Sequence, residues 1–215
     1  MTRPNPWGEN WHNKNYSSAE METLLNQIFG PKCIFMGFSP AGKRKWVKTR
    51  RDRTMEVIYL HSDRGFQYCP SFGLSFPWIP HGNWKKVCWH RTPKSAVIDL
   101  GYERRDSFVW MIPKGRTVAS ERANLVSTEI CEMSEPWFVK MADQRSLLQE
   151  LERRRASPYF YHFVQGLTVD LFWQARSGTW QGFDARSEGQ MRSYFGEEGF
   201  PELKQLLGEE AARAK

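Results

Sequence analysis

The sequence lacks any apolar run approaching the roughly twenty residues that a membrane-spanning helix needs. Its opening, Met1-Thr2-Arg3-Pro4-Asn5-Pro6-Trp7, also lacks the hydrophobic stretch of a secretory leader. No membrane association is expected, and a cytoplasmic location follows as the default. Cysteine is scarce: Cys33, Cys69, Cys88 and Cys131 are widely separated and form no Cys-x-x-Cys pair. That spacing signals neither a disulfide framework nor a zinc ribbon, so reduced and mostly buried thiols are expected. No Gly-x-Ser-x-Gly elbow is present, and Gly178-Thr179-Trp180-Gln181-Gly182 leads into no Gly-Lys-Ser/Thr phosphate loop. Internal repeats and low-complexity tracts are absent as well.

What is there is a soluble-type composition, 40% hydrophobic and 26% charged over 215 residues, enough for one core or one core with an added helical lobe. Aromatic residues make up 14% of the chain and include ten Trp, which supply large buried areas. Charge is uneven. Residues 1–120 hold 19 Lys and Arg against 9 Asp and Glu, whereas residues 121–215 hold 12 against 15. Such asymmetry bears on partners rather than on fold.

The pattern predicts an α+β fold: an N-terminal helix packed on an antiparallel meander sheet of about five strands, followed by C-terminal helices. Residues 1–16 read as an irregular arm, 17–155 as the α+β domain, and 156–215 as an aromatic-rich extension on the same core. Ser17-Ser18-Ala19-Glu20 has capping-box spacing, and Met21, Leu24, Leu25, Ile28 and Phe29 form a helical stripe that Gly30-Pro31 is expected to end. Period-two segments follow at Lys43–Arg51, Met55–His61, Phe66–Phe76, Ala96–Tyr102 and Phe108–Ile112. Their short connections favour antiparallel pairing, and Pro70 and Pro77 place their segment at an edge or bulge. Helical spacing returns at 118–133 and, behind an Asp143 cap, at 142–155, with Pro136-Trp137-Phe138 dividing the two. The run from Pro158 to Trp173 fits a buried strand or a buried helix equally. Within it, Phe160, Phe163 and Val164 would form a core stripe or a partner groove. Residues 200–213 read as a short final helix.

Several landmarks occur in a particular order: a capped helix, Met36-Gly37-Phe38, Gly42-Lys43-Arg44-Lys45-Trp46, a strand ending near Leu60, Arg64-Gly65-Phe66, Phe72-Gly73-Leu74, and Glu135-Pro136-Trp137-Phe138 ahead of Leu147-Leu148. Over roughly residues 18–154 this order resembles an uncharacterised bacterial family of small α+β proteins that carry a Gly-Phe-Lys-Arg-x-Gly-x-x-Trp-like stretch. Here the Gly precedes the basic triplet. The resemblance implies a fold and a bacterial setting but no activity.

The candidate sites are few. Lys43, Arg44, Lys45, Trp46, Lys48, Arg50 and Arg51 form a basic ribbon that could track phosphates while Trp46 stacks on a base. The same residues equally describe an outer strand kept soluble by charge, with Phe38 and Trp46 in the core. Because alternation puts cations on both faces, the ribbon is expected at an edge. Lys85 and Lys86, beside Trp84 and Trp89, form a second basic aromatic patch. Glu56, Asp99 and Glu103 are the only acids arranged even loosely for a metal-dependent nuclease. For a metal, only Cys88-Trp89-His90 is a close pair, with His81, His61 and Cys69 farther off, so no metal and no cofactor are expected. Cys88 and His90 are likewise the only thiol and imidazole near enough in sequence to suggest nucleophilic chemistry. Arg153-Arg154-Arg155 suits a helix C-terminus. The function expected is non-catalytic binding of a protein partner in a bacterial cytoplasm, in a defence or toxin-neutralising setting. Nucleic-acid binding is the alternative, and a metal-dependent nuclease comes after it.

Overall fold

The computed structural model describes residues 14–63, 67–103, 110–155 and 164–214. It is α+β: an N-terminal helix, an antiparallel sheet, then helices. No helix among the described residues is long and apolar enough to cross a membrane.

Helix α1 (Ser18–Phe35) begins as its sequence predicts. The Ser17 hydroxyl accepts from the Glu20 amide at 3.2 Å, and the Glu20 carboxylate accepts from the Ser17 amide at 2.7 Å. Met21, Leu25, Phe29 and Cys33 recur every fourth residue on its buried face. Its end differs from the expectation, because the helix passes through Gly30-Pro31 and stops at Phe35. Anchoring beyond the proline explains this. Cys33 is buried, and Lys32 donates to the Asn124 carbonyl and the Ser127 and Thr128 hydroxyls at 3.3, 2.6 and 2.7 Å. Gly37, at φ +84°, then turns the chain, with Phe38 N–H bonding to the Cys33 carbonyl at 2.9 Å.

The sheet runs β1 (Ser39–Pro40), β2 (Lys45–Thr49), β3 (Met55–Asp63), β4 (Gln67–Ser75) and β7 (Leu100–Gly101), with β8 (Ile112–Pro113) also paired to β4. Of the expected strand at 96–102 only Leu100–Gly101 forms, and of 108–112 only its last residue lies in a strand; residues 104–109 are outside the described residues. Pro70 does not lie on an edge strand. Phe72 and Leu74 turn their carbonyls toward the β7 side, accepting from Tyr102 and Asp99, and β8 pairs at Gln67 and Tyr68. By alternation Pro70 faces the gap between these two short partners, where no N–H is required.

Two compact units interleave along the chain: one from the described residues of 14–48, 56–73 and 101–138, the other from Thr49–Met55, Leu74–Leu100 and the described residues from Val139 onward. In the first unit, Trp46 stacks on Phe29 with ring centroids 6.0 Å apart, and Phe72 lies among Tyr102, Trp110, Trp137 and Phe138. Helix α2 (Ala119–Lys140) continues through Pro136 instead of breaking there. The aromatic contacts of Trp137 and Phe138 hold that turn in place.

The second unit contains a small hairpin, β5 (His81–Gly82) and β6 (Val87–Cys88), and three helices: α3 (Gln144–Arg155), α4 (Val164–Arg176) and α5 (Ala185–Arg213). Asp143 caps α3 through the Ser146 amide at 2.8 Å, and Asp184 caps α5 through the Ser187 amide at 2.7 Å. The undecided run to Trp173 is helical from Val164; the aromatic cluster at 157–163 is outside the described residues. Helix α5 is far longer than the expected 200–213 segment and is kinked at Gly196, whose φ is +74°. At the end of α3, Arg153 and Arg154 pair with Glu150, and Arg155 pairs with Asp170.

Candidate functional site

The basic ribbon is not the bare edge that its charge suggests. Trp46 and Val47 are both buried, one on each face, and β1 covers the strand's outer edge by pairing Ser39 with Val47 and Pro40 with Trp46. Trp46 therefore presents no face to a base, and Phe38 is buried too. Most of the cations have internal work. Lys43 pairs with Glu22 at 3.6 Å, Arg44 lies 5.0 Å over the Tyr68 ring, and Lys48 lies between the Met36 carbonyl and Glu56. Burial pushes the Lys45 ammonium below its usual range. Arg50 donates to the Met141 carbonyl at 3.1 Å, while Arg51 is exposed in the turn after β2.

The three candidate acids have separate environments. Glu56 is buried beside Lys48, Glu103 is exposed, and Asp99 is fully enclosed. Among the described residues, no three His, Cys, Asp or Glu side chains gather to hold a metal. His61 is exposed, with its ring against Tyr59, and Cys69 is half-buried in β4.

Asp99 instead anchors a buried polar chain in the second unit that its sequence did not reveal. Its Oδ2 accepts from the Phe76 amide and faces His90 Nε2, both at 2.6 Å, and its Oδ1 accepts from the Gln165 amide at 2.5 Å. His90 is completely buried, and its Nδ1 lies 2.8 Å from Nδ1 of His81. Tyr194 donates its hydroxyl to Gln165 Oε1 at 3.0 Å. Burial pushes the Asp99 carboxyl up, and the donors from His90, Phe76 and Gln165 oppose that push. Burial, and then the neighbouring His90, push His81 down.

With Asp99 ionised, the pattern fixes the tautomers in sequence. His90 donates from Nε2 and accepts at Nδ1, His81 donates from Nδ1, and Nε2 of His81 is left as a lone pair. Cys88 stands opposite His81 in the hairpin register, yet no hydrogen bond joins its thiol to either imidazole among the described residues. The network's evident work is to tie β5, the His90 loop, the end of β4, α4 and α5 together. The only signal in the sequence was Asp99 within the apolar run Ala96-Val97-Ile98-Asp99-Leu100.

The hairpin is also held through its main chain. A Cβ on Gly82 would fall 2.4 Å from the Tyr194 carbonyl oxygen. On Gly196 it would fall 2.6 Å from the Trp84 carbonyl oxygen, and on Gly199 3.0 Å from Lys86 Cα. Glycine at these positions permits the backbones of hairpin and helix to touch. At the tip, Asn83 accepts from the Lys85 and Lys86 amides, and Trp84, 69% exposed, projects beside these two exposed lysines.

In the first unit a different surface stands open. Phe35 is 93% exposed and Ile34 57% exposed at the end of α1. Phe35 walls a shallow groove of about 410 Å³ with Pro31, Met36 and Cys131, and Glu132 and Glu135 of α2 lie on its rim. No family model, curated protein or solved structure gives a significant match to the chain.

Proposed function

We propose that the protein is a non-catalytic binding protein whose partner is another protein, docked at the groove between α1 and α2. The observation that carries this is Phe35, an aromatic side chain left 93% exposed beside an apolar groove. Exposed apolar surface with a polar rim is typical of interaction sites, and buried aromatic anchors dominate interface energies. The Lys32 ammonium is turned toward Asn124, Ser127 and Thr128, and Glu132 and Glu135 outnumber it, so the rim is net negative. The partner would thus present an apolar anchor flanked by Lys or Arg. A bacterial toxin-neutralising or defence complex is the first setting in which to seek it. Affinity purification of the tagged full chain from its native host, with and without nuclease, tests the proposal. A stoichiometric protein should survive nuclease treatment and be lost with Phe35→Asp, whose unfolding temperature should be unchanged. Equal recovery with that variant, or loss on nuclease treatment, would refute it.

A second reading, nucleic-acid binding, is favoured by Trp84 beside Lys85 and Lys86 at the hairpin tip. It moves the stacking role from the buried Trp46 to an exposed ring. Affinity for single-stranded DNA or RNA should fall steeply between roughly 50 and 200 mM salt, and Trp84→Ala should cost about 1–3 kcal/mol. Failure to retain labelled strands at the lower salt would remove it. The nuclease reading gains nothing, since both carboxylate oxygens of Asp99 already accept hydrogen bonds.

A further inference from the structure

The second unit contains a cavity of about 660 Å³, independent of the α1–α2 groove and within the size range of small-molecule sites. Trp78, Trp89 and Phe172 supply its aromatic lining. Its acids are committed elsewhere. Both Asp52 oxygens accept from Thr54, through the amide and the hydroxyl, each at 3.0 Å. One Glu210 oxygen pairs with Arg176 at 3.2 Å and the other with Arg213 at 3.1 Å. Glu209 accepts from the Gln205 amide at 2.9 Å.

Two lining cations are not committed in this way. The guanidinium groups of Arg53 and Arg91 have no hydrogen bond or ion pair among the described residues, the Arg53 main-chain N–H alone donating to the Arg50 carbonyl at 3.1 Å. Arg91 lies with its guanidinium carbon 4.2 Å from the Trp89 ring centroid, which holds it in place and leaves its N–H donors unused. The cavity thus combines aromatic walls with two guanidinium groups that have no acidic partner among the described residues, beside carboxylates that are each held by a neighbouring donor. We propose that it binds a planar heteroaromatic ring bearing a phosphate: a nucleoside monophosphate, or the same group at the 5′ end of a nucleic-acid strand. Tryptophan and a ring-backed guanidinium provide stacking surfaces for the base, and Arg53 and Arg91 provide donors for the phosphate oxygens. No glycine-rich loop is needed, because side chains rather than backbone amides would hold the anion.

The test titrates the full chain with AMP, adenosine, inorganic phosphate and a 5′-phosphorylated single strand, read by tryptophan emission and calorimetry. AMP should give saturable quenching, and adenosine and phosphate should each bind far more weakly. Arg53→Ala and Arg91→Ala should each weaken AMP by about tenfold. Binding of AMP without the strand identifies a free nucleotide as the ligand, and tighter binding of the strand identifies a strand end. No binding of either, adenosine as tight as AMP, or unchanged affinity in both arginine variants would overturn the proposal. Should Arg91→Ala unfold, Arg53→Ala, in an exposed turn, keeps the test decisive.

Discussion

Substituting Gly196 by alanine puts the contact between the hairpin and α5 under direct test. Two costs arise at that position. The residue sits at φ +74° and ψ 166°, a region almost reserved for glycine, where an L side chain costs about 1–3 kcal/mol. Its new Cβ would also lie 2.6 Å from the Trp84 carbonyl oxygen and 3.0 Å from Lys85 Cα, both backbone atoms that cannot rotate away. Relieving such overlap costs about 1–3 kcal/mol, so Gly196→Ala should lose roughly 2–6 kcal/mol in all. Gly189 and Gly208 lie in the same helix with nothing within 4 Å of a built Cβ. Alanine there should instead gain up to about 1 kcal/mol through helix propensity. Urea and thermal denaturation of the three variants, followed by circular dichroism, give the comparison. For a chain of this size the loss corresponds to a melting temperature lower by roughly 5–15 °C. If Gly196→Ala melts with Gly189→Ala and Gly208→Ala, the hairpin is not seated on the helix by close backbone approach.

Asp99→Ala would strand the His90 imidazole, the Phe76 amide and the Gln165 side chain in a buried site, for a loss of about 3–5 kcal/mol on denaturation. A loss under 1 kcal/mol would show that water readily replaces the carboxylate. His81 is depressed below its ordinary pKa of 6.5 by burial and by His90, so its stabilising contribution is complete above that pH and is lost as acid protonates the folded state. Chemical denaturation between about pH 7.5 and 5 should show a decline that is smaller in His81→Gln, and parallel pH profiles would exclude His81 as its source. Pro31→Ala restores a helix N–H at an exposed interior position of α1 and should add about 1–3 kcal/mol in the same assay, whereas no gain would mean that the helix is already distorted around the proline.

Local signals in the sequence that depend on a few neighbouring residues proved readable. The Ser17–Glu20 capping box and the Asp143 cap are where their spacing predicts, and the alternation of β2 to β4 locates the strands within a few residues. What escaped depends on partners distant in sequence. Gly30-Pro31 and Pro136 are breakers by propensity, but Lys32 bonded to α2 and the aromatic packing of Trp137 and Phe138 override them. The charged ribbon could not reveal that two residues, Ser39 and Pro40, would cover its outer side. Helix α5 was obscured by Gly189, Gly196 and Gly199, which read as loop signals but, at Gly196 and Gly199, serve backbone contact. The polar chain at Asp99 draws on five separate segments, a convergence that no linear spacing encodes.

The seating of the hairpin on α5 has an evolutionary consequence. Gly196 and Gly199 fit against backbone atoms of residues 84–87, which every amino acid possesses, rather than against the particular side chains of residues 84–86. The side chains of Lys85 and Lys86 can therefore be exchanged while the seat beneath them stays the same, whereas Trp84 packs its ring edge-on against Tyr194 and sits at φ +71°. The tip is a position where recognition can be rewritten without refolding the protein, and a library randomised at Lys85 and Lys86 would vary the charge beside Trp84 while leaving the backbone seat intact.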